Sequence, residues 1–113
     1  MITRDVLRLG MLGCTAGNGH PYSWSAIFNG YDRERMTREC PFPGIPQYLN
    51  QQPPETLRIP DARVTHIHCA GDGGFTAEHV AACSHIPRVV DDPAAMLGAV
   101  DAVIVATDIG GEH

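Results

Sequence analysis

The stretch "VLRLGMLGCTAGNGHPYSWSAIF", residues 6–28, decides the fold. Its first part, Val6 to Leu12, is a short apolar run that suits a buried strand. Its middle, "GMLGCTAGNGHP" at residues 10–21, holds four glycines in twelve positions. Glycine loses more freedom on ordering than other residues, so such a cluster marks a sharp turn or a close approach to the backbone. Pro21 fits the first turn of a helix, where its missing N–H leaves nothing unpaired. Trp24, Ile27 and Phe28 then recur at helical spacing and read as the core face of that helix. Gly30 is placed to end it.

Working outward, residues 31 to 62 break the pattern. Six of the nine prolines fall between Pro41 and Pro60, so the segment reads as mostly loop, an insertion between regular elements. "IPQYLNQQ", residues 45–52, has room for a helical turn or two. Order resumes at "RVTHIHC", Arg63 to Cys69, an alternating β-branched run that reads as the second strand. In "GDGGFTAEHVAACSHIP", residues 71–87, Thr76 is placed as an N-cap, and Phe75 can staple onto Val80. That helix is expected to run to about Ser84. "RVV", residues 88–90, is a minimal third strand. Asp92 caps a short helix with Pro93 at its first position, and "DAVIVAT", Asp101 to Thr107, is the fourth strand. The alternation β-α-β-α-β-α-β predicts an α/β domain: a Rossmann-type parallel sheet of order 3-2-1-4 with right-handed crossovers.

Composition narrows the functions. A chain of 113 residues is enough for one modest core. The net charge of −5 gives no reason to expect a nucleic-acid partner. All eight basic residues are arginine, which removes a P-loop lysine and a Schiff-base lysine. No apolar stretch is long enough to cross a bilayer, so no membrane partner is expected. A lipoprotein-type leader ending at Cys14 is broken by Asp5 and Arg8. Cys14, Cys40, Cys69 and Cys83 are scattered without a C-x-x-C, and the plain expectation is four reduced thiols in a cytoplasmic protein.

An open parallel sheet binds ligands outside the carboxyl ends of its strands, where the strand order reverses. The loops at Gly13–Gly19, Gly71–Gly74 and Asp108–His113 leave such ends. The first feeds a helix start, whose N–H groups and dipole favour an anion. Gly13, Cys14, Thr15, Gly17, Asn18, Gly19 and His20 are therefore candidates to hold a pyrophosphate. Asp72 is a candidate to accept bonds from ribose hydroxyls, which favours NAD over NADP. The loop is not a regular G-x-G-x-x-G: Thr15 and Asn18 stand at its second and third glycine positions. Asp72 also lies well beyond the roughly 20 residues usual for the acidic partner, because the insertion intervenes.

"LRLGMLGCTAGNGH", "AEHVAACSHIPRVVDDPAAMLG" and "VDAVIVATDIGGEH" together resemble the amino-terminal domain of the Gfo/Idh/MocA (glucose–fructose oxidoreductase / inositol dehydrogenase / rhizopine catabolism) family. The resemblance covers most of the chain outside residues 31 to 62. It implies NAD(P)-dependent oxidation or reduction of a sugar, cyclitol or related polyol. It also implies that the Gly13 loop holds the pyrophosphate, and that the turn carrying Thr107, Asp108 and His113 lies on the nicotinamide side. Asp108 stands where the family usually has proline, and His113 comes one residue late. The family's E-K-P lysine and its substrate domain have no counterpart in these 113 residues. The chain is accordingly read as a truncated cofactor-binding half with no catalytic residue of its own.

Three other readings stand beside this one. His66, His68, Cys69, His79, Cys83 and His85 could belong to a metal-binding module, although their spacings match no zinc signature. The domain could bind a dinucleotide without reacting it. A methyltransferase has a similar glycine loop and acidic strand end. Two further expectations come from the topology. Residues 31 to 40 should begin far from the ligand and serve packing or a subunit contact. The fourth strand should lie at a sheet edge, where self-association through residues 101 to 107 is possible.

Overall fold

The structure, a computed structural model, describes residues 6–13, 19–53, 61–69 and 75–106. Four strands, β1 (Leu7–Gly13), β2 (Ala62–Cys69), β3 (Arg88–Val89) and β4 (Ala102–Val105), form one sheet of order β3-β2-β1-β4. Every pairing is parallel. The strands alternate with α1 (His20–Asn29), α4 (Ala77–Ser84) and a 3₁₀ turn at Pro93–Met96. The α/β architecture and strand order expected from the sequence are those observed.

Local signals account for most boundaries. Asp92 and Thr76 each accept a backbone N–H from the first turn they cap. Gly30 ends α1 at φ +78°, in the left-handed region where a side chain is strained. Leu9 and Met11 of β1 face α1, while Gly10 faces the other way. A Cβ on Gly10 would meet the Met96 sulfur at 2.6 Å, so the 3₁₀ turn covers that second face. At Thr65 β2 carries an extra residue: Leu9 pairs with Val64 but Gly10 pairs with His66. The bulge moves the inward positions from Ala62 and Val64 to Ile67, and all three are buried.

Two sequence expectations need correction here. Trp24, Ile27 and Phe28 are not the innermost face of α1. That face is Tyr22, Ser25, Ala26 and Asn29, while Trp24 and Phe28 pack at its rim. The small Ser25 and Ala26 let α1 lie close on the sheet, and Trp24 and Phe28 flank that line. Among its described residues the insertion also holds more helix than expected: the turns expected at residues 45–52 are present, and a further helix precedes them. It contains α2 (Arg33–Glu39) and α3 (Gly44–Asn50). "RERMTRE" holds no proline and is capped by the Asp32 carboxylate. In α3 the prolines sit at the start, with Pro43 as N-cap and Pro46 in the first turn, where they break no helical bond. Met36 and Leu49 are fully buried between these helices and the α1–α4 layer.

Candidate functional site

The carboxyl edge of the sheet gathers the ends of three strands. Gly13 pairs with Cys69, and Ala106 donates its N–H to the Leu12 carbonyl at 2.7 Å. The start of α1 stands above this edge, close enough that a Cβ on Gly13 would lie 2.5 Å from Pro21 Cγ and 3.4 Å from the Ala106 carbonyl oxygen. Gly13 is thus required first of all by the packing of α1 onto β1. Gly19 is required by the insertion, because a Cβ there would run into Ile45 Cδ1 and into the Phe42 ring at 2.8 and 2.9 Å. Neither neighbour was legible as such in the sequence.

The first turn of α1 has a reduced set of donors. Pro21 has no N–H, and the Tyr22 and Ser23 N–H groups both turn back to the Gly19 carbonyl, at 3.0 and 3.4 Å. Gly19, as N-cap, offers no side-chain cap. The helix dipole remains directed at the crevice between β1 and the strands beside it. The exposed His20 ring stacks on Trp24, with centroids 4.3 Å apart at 18°. That stacking lays the imidazole along the flank of α1. Cys14, Thr15, Gly17, Asn18, Asp72, Thr107, Asp108 and His113 lie outside the described residues.

Beside this edge, between the end of β2, the start of α4 and the end of β3, is an open cleft of about 350 Å³. His68, Cys69, Thr76, Glu78, Val90 and Asp91 are among its walls. His68 Nδ1 lies 3.0 Å from the Val90 carbonyl oxygen. A carbonyl only accepts, so Nδ1 carries a proton toward it. Glu78 and Asp91 are exposed at the rim and place two carboxylates there. Sequence reasoning did not single out Glu78 or Asp91, which line this cleft. The signal for Asp91 was present: it directly follows the strand "RVV", the position that the carboxyl-edge rule marks.

The cysteine and histidine residues divide differently from expectation. Cys69 is disulfide-bonded, which corrects the reading of four reduced thiols, whereas Cys40 and Cys83 are free. Spacing along the chain could not reveal this, because a disulfide depends on which strand ends the fold brings together. Cys83 is buried, and burial followed by the nearby Cys40 pushes its thiol up to about 11. Its sulfur lies 3.7 Å from His79 Nε2, but that nitrogen also lies 3.1 Å from Glu39 Oε1. A carboxylate accepts, so Nε2 bears its proton toward Glu39, and the Tyr22 hydroxyl, 2.6 Å away, donates to Nδ1. The ring has no lone pair left for the Cys83 proton. This group is a structural link between α1, α2 and α4. Among the described residues no three His, Cys, Asp or Glu side chains converge where they could hold a metal ion.

No family model matches this chain, and no curated protein or solved structure is significantly similar to it. Among the described residues, no helix is long and apolar enough to cross a membrane.

Proposed function

We propose that the chain binds a dinucleotide, NAD in preference to NADP, along the carboxyl edge of its sheet. We further propose that it serves as the cofactor-binding half of an oxidoreductase acting on a sugar, cyclitol or related polyol. One observation carries the binding reading. β1 lies between β2 and β4, so the strand order reverses at its carboxyl end, with the start of α1 packed directly over Gly13. The substrate class rests only on the resemblance of the sequence to the Gfo/Idh/MocA family.

The residues present fit such a ligand in part. The dipole of α1 favours a pyrophosphate at Gly13. The cleft beside β2 suits an adenosine, and its rim carboxylates, Glu78 and Asp91, disfavour a 2′-phosphate. A bound nicotinamide would supply hydride transfer, and these residues would hold the pyrophosphate and adenosine parts of the dinucleotide.

Calorimetric titration of the purified chain with NAD⁺, NADP⁺ and S-adenosylmethionine tests the proposal. NAD⁺ is expected to bind more tightly than NADP⁺, and the double variant Glu78→Gln/Asp91→Asn is expected to narrow the gap. Equal affinities in the parent protein, or binding of S-adenosylmethionine alone, would overturn it.

A further inference from the structure

We infer that Phe42, carried by the insertion, is a positioning residue for this crevice: it wedges between the start of α1 and the start of α4 and fixes their separation. The identity of the ligand rests on the reading above; the wedge does not. The Phe42 ring lies against the Gly19 backbone, where even an added methyl group would meet it. On its other side it packs edge-on to Phe75, with centroids 5.4 Å apart at 85°. Tyr22 completes the cluster, 6.3 Å from Phe42 and 5.3 Å from Phe75. Gly19 precedes α1 and Phe75 precedes the Thr76 cap of α4, so one ring touches the entry to both helices.

The backbone that presents this ring is stiff. Phe42 lies between Pro41 and Pro43, and a residue before proline is restricted to extended conformations. The rest of the insertion is held without it. Asp32 donates its N–H to the Cys83 carbonyl at 2.8 Å, and Glu39 reaches His79. Tyr31 donates to Asn50, Asn50 donates to Thr37, and Met36 and Leu49 are buried. The chain therefore leaves α1 at the amino edge, as the topology required, and returns along the helical layer to place Phe42 at the ligand edge. A ligand that spans two helix starts binds more tightly when their separation is fixed beforehand.

The test compares the parent chain with Phe42→Ala, Phe42→Leu and Met96→Ala, the last a buried residue on the opposite sheet face. Amide hydrogen exchange is read at Tyr22–Ser25 and Ala77–Val80, together with thermal melting and NAD⁺ titration. Phe42→Ala is expected to speed exchange at both helix starts together by about tenfold, and Phe42→Leu to restore most of the protection. Met96→Ala is expected to lower the melting temperature without that paired change. NAD⁺ affinity should fall about tenfold in Phe42→Ala. Acceleration at one helix start only, or no more than in Met96→Ala, overturns the inference, as does unchanged NAD⁺ affinity in Phe42→Ala. Paired acceleration in Phe42→Ala, with a parent that binds no NAD⁺, upholds the wedge and removes the dinucleotide reading instead.

Discussion

Asn29 and Val64 exchange two hydrogen bonds as neighbouring strand residues would. The Asn29 side-chain amide donates to the Val64 carbonyl at 2.9 Å, and its oxygen accepts the Val64 N–H at 2.8 Å. β3 pairs only with His66 and Ile67, so it stops short of this part of β2. The last residue of α1 supplies the missing peptide partner, and it also donates to the His85 carbonyl at 3.1 Å. Asn29→Ala would leave a buried N–H and a buried carbonyl unsatisfied. A loss of about 2–4 kcal/mol is expected in denaturant melts, because each orphaned group costs about 1–3 kcal/mol. Asn29→Asp should be no better, since a carboxylate cannot donate to either carbonyl.

Gly13→Ala tests the seating of α1 on the sheet. The added methyl would press on the Pro21 ring, which cannot rotate away. Overpacking of this kind costs about 1–3 kcal/mol. Thermal melting should show the loss, and Pro21→Ala in the Gly13→Ala background should recover part of it.

Acid should destabilise the protein in two stages. His66 sits below its ordinary value of 6.5, through burial first and then the charges of Arg88 and Arg8. The unfolded chain therefore takes up this proton before the folded one, and stability falls as pH drops below about 6.5. Asp101 is held below its ordinary value by hydrogen bonds from Arg8, and Glu39 by hydrogen bonds from Arg38 and His79. Their contributions are present above the ordinary carboxylate range and are lost as pH falls through and below it. Melting temperatures measured from pH 8 to pH 3 should show both stages. His66→Asn should remove the first, and Arg8→Gln should weaken the second.

Cys83 supplies the alkaline counterpart. Its folded value of about 11 exceeds the ordinary 9, so the buried thiol contributes stability below pH 9 that is lost between pH 9 and 11. Alkylation at pH 8 should be slow at Cys83 until the protein is unfolded. The half-buried Cys40 should react first. Peptide mapping after timed iodoacetamide treatment measures both rates.

The β4 edge predicts association behaviour. Val103 and Val105 are 44% and 62% exposed, and β4 is the last strand of the described sheet. An apolar edge without charge or proline recruits further strands. Sedimentation of the parent should show concentration-dependent association, which Val103→Lys should suppress. A parent that stays monomeric, with Val103 to Val105 strongly protected from exchange, would contradict this.

The sequence by itself determined the strand order and most element ends, because the signals are local. The Thr76 and Asp92 caps and Gly30 act within one turn of their own positions. The alternation of strands and helices then restricts the crossovers to one hand. Which strand ends share the carboxyl edge of the sheet was legible for the same reason: they can be counted along the chain. Other features depended on residues that meet only after folding. Gly19 reads as a loop glycine until Phe42 and Ile45 arrive from more than twenty positions away. Asn29 reads as a helix end until β3 proves too short to reach Val64. Cys69 shows its disulfide only in the folded chain. Periodicity and capping record what a residue does to its own backbone. Close approach, hydrogen-bond completion and cross-linking are decided by tertiary neighbours, and no local pattern encodes them.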